Sequence, residues 1–169
     1  PPEAGFVLRW VRALRESADA DVRGANILIR PHPQRLMEWQ DVPREDLGPG
    51  VAFWGANPVD AESRADYFDS LYYSAAVAGL NTSAFLEAAI AGRPVLAILP
   101  AEFRDNQEGT IHFHYLTTTA GGLLRTSRTL TDHERQLGET LAASSGAGHS
   151  EDAASARGHY ASSSTSASS

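Results

Sequence analysis

The chain contains no cysteine and no apolar run near the roughly 18–20 residues a membrane helix needs. Without cysteine there is no disulfide framework, no thiolate nucleophile and no Cys-type zinc site, so stability has to come from a packed core, as suits a reducing compartment. Positive charge is scarce: 14 Lys+Arg stand against 21 Asp+Glu, a net charge of −7. This balance argues against a nucleic-acid partner and a polybasic membrane patch, both of which need clustered cations to meet phosphates. The first residues lack the basic-then-apolar pattern of a secretion signal. G-x-G-x-x-G, G-x-x-x-x-G-K-[ST] and G-x-S-x-G are all missing, which leaves a dinucleotide fingerprint, a P-loop and a hydrolase elbow unsupported. The start at Pro1-Pro2, without methionine, leads us to expect that the chain begins inside a longer polypeptide.

What is present divides into two parts. Of 169 residues, those from Ser144 onward are mostly Ser, Ala and Gly, with almost nothing to bury, so the expectation is a folded domain over residues 1–143 and a disordered tail over 144–169. About 143 residues suffice for one domain and not for two.

Phe6, Val7, Trp10, Val11 and Leu14 recur at helical spacing and predict an amphipathic helix over 3–18. Residues 26–30 read as a short buried strand stopped by Pro31 and Pro33, because proline lacks the N–H that a ladder requires. A short helical piece over 34–40, a strand over 51–54 closed by Gly55, and a helical segment over 63–74 follow. The most informative stretch is 75–100. A small apolar strand over 75–80 meets Asn81, Thr82 and Ser83, which have N-cap chemistry; a helix carries Phe85, Leu86, Ala89 and Ile90 and ends at Gly92; an apolar strand over 95–99 stops at Pro100. Strand, helix and strand in so short a span make a βαβ unit, which implies a parallel sheet covered on both faces. Beyond it, 110–120 is expected to be helical, Leu123-Leu124 a short strand, and 132–143 a closing helix.

In an open parallel sheet, ligands bind beyond the carboxyl ends of the strands, where helix N-termini present free N–H groups. Arg30 and His32 sit at one such end, a fixed cation beside a titratable imidazole on a proline-bounded turn. They suit a phosphate; a turn histidine bonded to the backbone is the plainer reading. Asn81, Thr82 and Ser83 offer small polar groups at a positive dipole end, either as helix caps or as a diphosphate seat. Glu87 is the sole charge in its apolar helix and either accepts two ribose hydroxyls or faces solvent. His112 and His114 are two apart and share a face only on a strand, so no metal site is expected. Asp60, Glu62, Asp66 and Asp69 read as a solvated acidic face, and Tyr67, Phe68, Tyr72 and Tyr73 as core and rim aromatics.

The run from Leu80 through Leu96 (LNTSAFLEAAIAGRPVL), with Arg30-Pro31-His32-Pro33 about fifty residues upstream, resembles the C-terminal, donor-binding domain of GT-B glycosyltransferases. Within these it is most similar to the CDP-glycerol glycerophosphotransferase and capsule-polysaccharide transferase group, over residues 26–116. The resemblance implies a Rossmann-like parallel sheet with helices on both faces, one half of a GT-B fold, in a cytoplasmic protein of surface-polysaccharide synthesis. It implies that Asn81, Thr82, Ser83 and Arg30 hold the diphosphate of a CDP- or UDP-linked donor. It further implies that Glu87 binds the ribose, that His32 acts catalytically near the phosphates and that Gln107 reaches the transferred group, with no metal or cofactor. Position 79 is glycine where retaining members often carry a second glutamate. An acceptor domain supplied by a preceding segment is the implied partner, and any peripheral membrane association would run through that segment. A UDP-sugar 2-epimerase-like domain and a non-catalytic Rossmann-like module are the alternatives.

Overall fold

The computed structural model describes residues 2–55, 58–80, 84–103 and 124–161, with the backbone alone for Arg44 and 147–161. Helix α1 (Glu3–Arg15) turns Ala4, Phe6, Val11 and Leu14 inward and places Arg12 and Arg15 in its last turn, where cations complement the helix dipole. Pro2 gives it no side-chain cap. That role falls to Glu38, whose Oε2 accepts the N–H groups of Glu3 at 2.6 Å and Ala4 at 3.2 Å. Helix α2 (Ala20–Gly24), which the periodicity does not announce, is started by Asp19 and buries Val22.

Strand β1 (Ile27–Ile29) pairs in parallel with β2 (Val51–Phe53), Ile27 opposite Val51 and Ile29 opposite Phe53. Two 3-10 turns between them, Pro33–Trp39 and Arg44–Leu47, deliver Trp39 and Leu47 to the cluster formed by Ala4, Val11 and Ile29. Helix α3 (Ala61–Tyr72) opens on a capping box in which Asp60 and Ser63 satisfy each other's backbone N–H groups. Then come β3 (Val77–Gly79), α4 (Ala84–Ile90) and β4 (Val95–Ile98), with β3 and β4 parallel neighbours, the βαβ unit that the sequence predicts. Gly92, at φ +71°, ends α4 in the left-handed conformation that favours glycine. A 3-10 turn, Ala101–Phe103, follows, and β5 (Leu124–Ser127) adds to the other side of β4, again in parallel.

All four residues of β4 are buried, and their alternation divides the core. Val95, Ala97 and Leu99 pack with Leu71 of α3 and with Phe85 and Ala88 of α4. On the opposite face Leu96 meets Leu14, Val22 and Leu137, while Ile98 meets Phe6 and Phe103. A strand with two buried faces reads as an unbroken apolar run, which is why Val95 to Leu99 shows no alternation. Leu96 is fully buried, and replacing such a leucine by alanine costs about 2–5 kcal/mol. The architecture is mixed α/β and, among the described residues, has a two-stranded and a three-stranded sheet, both parallel.

Helix α5 runs Leu130–Ala161, through residues expected to be disordered. Alanine favours helix even without tertiary contacts, and the Ser144 and Ser145 hydroxyls are satisfied within the helix by the carbonyls of Thr140 and Leu141, each at 3.1 Å. Residues 162–169, and the helix expected over 110–120, lie outside the described residues. No helix among the described residues is long and apolar enough to cross a membrane.

Candidate functional site

The two strands of the smaller sheet end on Arg30 and on Trp54-Gly55. Trp54 continues the ladder through its backbone N–H, which donates to the Ile29 carbonyl at 3.0 Å. Gly55 follows at φ +110°, and a Cβ built there would stand 2.7 Å from the Arg30 guanidinium carbon. The backbone conformation favours glycine there, and a side chain would also displace the Arg30 guanidinium. With the guanidinium against Gly55, one of the five N–H donors of Arg30 reaches Asp66 of α3: Nη1 donates to Oδ2 at 2.9 Å. The other carboxylate oxygen of Asp66 accepts the Trp54 indole N–H at 3.0 Å. These bonds, that from Arg30 first and that from Trp54 second, hold the Asp66 carboxyl below its ordinary pKa.

From Arg30 the arrangement continues to α4. Its guanidinium lies 5.2 Å from the centroid of the Tyr67 ring, a cation–π contact. The Tyr67 hydroxyl donates to Glu87 Oε2 at 2.5 Å. Burial, and next the Glu87 carboxylate, push the phenol pKa well up, so Tyr67 remains a proton donor at all ordinary pH. Trp54, Asp66, Arg30, Tyr67 and Glu87 thus form one connected line from the end of β2, across α3, to α4. Asp66 offsets the charge of Arg30. An anionic ligand on this guanidinium has to share it with that carboxylate, whereas the second oxygen of exposed Glu87 is a ready hydroxyl acceptor.

Arg30 and Glu87, two residues the sequence singles out, are therefore joined, through Tyr67. His32 is exposed and caps the 3-10 turn that begins at Pro33, its Nδ1 accepting the Gln34 N–H at 3.2 Å. That is the backbone-bonded turn histidine that stood as the plainer reading. Asn81, Thr82, Ser83 and Gln107, like His112 and His114, lie outside the described residues. Among the described residues no three His, Asp or Glu side chains gather as a metal site.

By sequence alone Asp66 belongs to a solvated acidic face, Tyr67 to the core and rim aromatics, and Trp54 to a strand. The usable signal was a large aromatic immediately before the strand-closing Gly55. A groove of about 360 Å³ lies instead at the opposite, N-terminal ends of β1 and β2, between Asn26, Leu28, Gly50 and Ala52. Asn26 gives its lining a polar side chain, and nothing in that lining titrates, so it offers no acid, base or nucleophile. Comparison with protein-family models, curated proteins and solved structures finds no match to this chain.

Proposed function

We propose that the chain is the donor-binding part of a GT-B-type transferase that uses a nucleoside-diphosphate-activated donor. The observation that carries this reading is the joining of Arg30 and Glu87 in one network beside the carboxyl ends of parallel strands. Two packing facts support a single Rossmann-like sheet in the order β2-β1-β3-β4-β5: Ile27 of β1 shares a cluster with Leu96 of β4 and with Ala76, which precedes β3, and β4 is covered on both faces. In that order the chain reverses direction across the sheet between β1 and β3, the kind of crevice in which doubly wound folds bind ligands.

In this reading Glu87 accepts the ribose hydroxyls. The amides and side chains of Asn81, Thr82 and Ser83, with Arg30 and His32, receive the diphosphate as it departs, and preorganised donors stabilise the charge that develops there without a metal. The acceptor and general base belong to the other half of a GT-B enzyme, so the property to test in this chain is binding. Titration with CDP and with UDP is expected to raise the melting temperature by mass action, and Glu87→Ala to abolish the rise. Absence of any shift with either nucleotide sinks the proposal and favours a non-catalytic module.

A further inference from the structure

Tyr67 of α3 meets Glu87 of α4, and further along both helices Tyr72 meets Arg93, so α3 and α4 run in the same direction and share one outward face. That face is apolar. Phe68 and Tyr72, one turn apart, are both exposed and stack at 5.8 Å, and Tyr73 meets the Tyr72 ring edge-on at 5.1 Å. Tyr73 is 80% exposed and Ile90 of α4 77%. Together the four side chains present on the order of 500 Å², the size at which an apolar patch marks an interaction site. Two charges flank the rings. Arg93 lies 5.1 Å from the Tyr72 centroid, with its buried Nε unpartnered, and Asp69 stands exposed one turn before Tyr72 and Tyr73. Arg9, Arg30, Arg35, Arg125 and Arg135 each hold a carboxylate, whereas among the described residues neither Arg93 nor Asp69 has an ion-pair partner.

We propose that this face is a self-association surface, covered by the same face of a second copy of the chain. It stands independently of the donor-binding reading. A two-fold interface pairs a patch with itself, so the one patch has to carry both signs of charge. Asp69 and Arg93 supply them, and both flank Tyr72. With the two-fold axis at Tyr72, Asp69 of each copy meets Arg93 of the other, and the rings close on one another between the two ion pairs. Tyrosine, phenylalanine and arginine are the residue types enriched at interface centres. Two such patches hide about 1,000 Å² before any polar rim is added, the size a specific interface has to clear. The charge of −7 on each copy opposes approach, but at physiological ionic strength it is screened beyond about 8 Å, so the contacts themselves decide.

Sedimentation equilibrium of the full chain at physiological salt, across a wide range of concentration, is the test. The wild-type chain is expected at twice the monomer mass, and Tyr73→Glu and Ile90→Glu at the monomer mass with the wild-type circular dichroism spectrum, since both side chains are exposed. Charge reversal then tests the pairing. Asp69→Arg and Arg93→Asp should each weaken self-association roughly 10-fold or more, because like charges meet at both pairs. Mixed together, these two variants should associate with each other, because every pair is again of opposite sign. A dimer that survives Tyr73→Glu and Ile90→Glu lies on another face and overturns the proposal. Charge variants that associate no better mixed than alone overturn the Asp69–Arg93 pairing. A wild-type chain that stays monomeric overturns the proposal outright, and an amphipathic helical peptide that binds such a monomer but not its Ile90→Glu variant assigns the face to a different protein.

Discussion

The Arg30 guanidinium occupies the space where a side chain on Gly55 would begin, 2.7 Å from a Cβ built on that glycine. Gly55 also sits at φ +110°, outside the conformations open to other residues at low cost. Gly55→Ala should therefore lose about 2–3 kcal/mol, strain and displacement of Arg30 together. Gly92 is the control: at φ +71°, with no atom within 4 Å of its Cβ position, it carries the conformational term alone. Gly92→Ala should cost about 1 kcal/mol. Urea midpoints of the two variants decide; equal losses would mean that the guanidinium is not confined there.

Glu38 supplies at long range the cap that Pro2 withholds from α1. Its carboxylate takes the N–H groups of Glu3 and Ala4, while its other oxygen meets Arg35 at 2.7 Å. Burial acts to raise its pKa, and the bonds from Arg35, Ala4 and Glu3 more than offset that, so the pKa is net lowered. The stabilisation is present above the ordinary carboxylate pKa and is lost as pH falls through the lowered value. Glu38→Ala should cost about 1–2 kcal/mol, as removal of a cap does. Amide exchange at Glu3 and Ala4 should accelerate in Glu38→Ala and less in Glu38→Gln, which keeps an acceptor; unchanged exchange would rule out the cap.

His133 on α5 is fully buried, its ring 5.9 Å from that of Trp10, and neither of its ring nitrogens has a hydrogen-bond partner among the described residues. Burial lowers its pKa from 6.5 to about 4. Between these values the unfolded chain binds a proton that the folded chain does not, so stability falls as pH drops from about 6.5 to about 4. The loss over that window is about 3 kcal/mol. His133→Leu should remove this part of the pH dependence and be more stable than wild type at pH 5 relative to its stability at pH 7.5. Parallel pH profiles of the two proteins, from urea midpoints, would contradict the assignment.

How much of this was legible in the sequence follows from how local each signal is. The βαβ unit was, because Gly92 and the apolar run of β4 punctuate it within a few residues of the elements they end. So was α1, whose inward face repeats at helical spacing. Helix α2 was not, since its five residues are too few to show a period. The capping of α1 depends on Glu38, about 35 positions away, and a run of Ser and Ala carries helix propensity alongside the compositional mark of disorder. At the candidate site, Arg30 and Glu87 stood out by their local context. Asp66, Tyr67 and Trp54 did not, because what distinguishes them is contact across the fold: with Arg30 for the first two, and with Asp66 for the tryptophan.

The Tyr67 hydroxyl separates structure from recognition at Glu87. Tyr67→Phe keeps the ring under Arg30 and deletes the donor to Glu87, so its stability should fall by no more than about 1 kcal/mol. If Glu87 reads the ribose, the phenol is a positioning residue that fixes one carboxylate oxygen while the other receives a hydroxyl. CDP should then bind wild type more tightly than 2′,3′-dideoxy-CDP. Tyr67→Phe should narrow that preference several-fold, and Glu87→Ala should erase it. Because the phenol pKa is raised, first by burial and then by Glu87, the preference should stay flat between about pH 6 and 9. Paired dissociation constants for the two nucleotides provide the measurement, and a preference that survives in Glu87→Ala would place ribose recognition elsewhere.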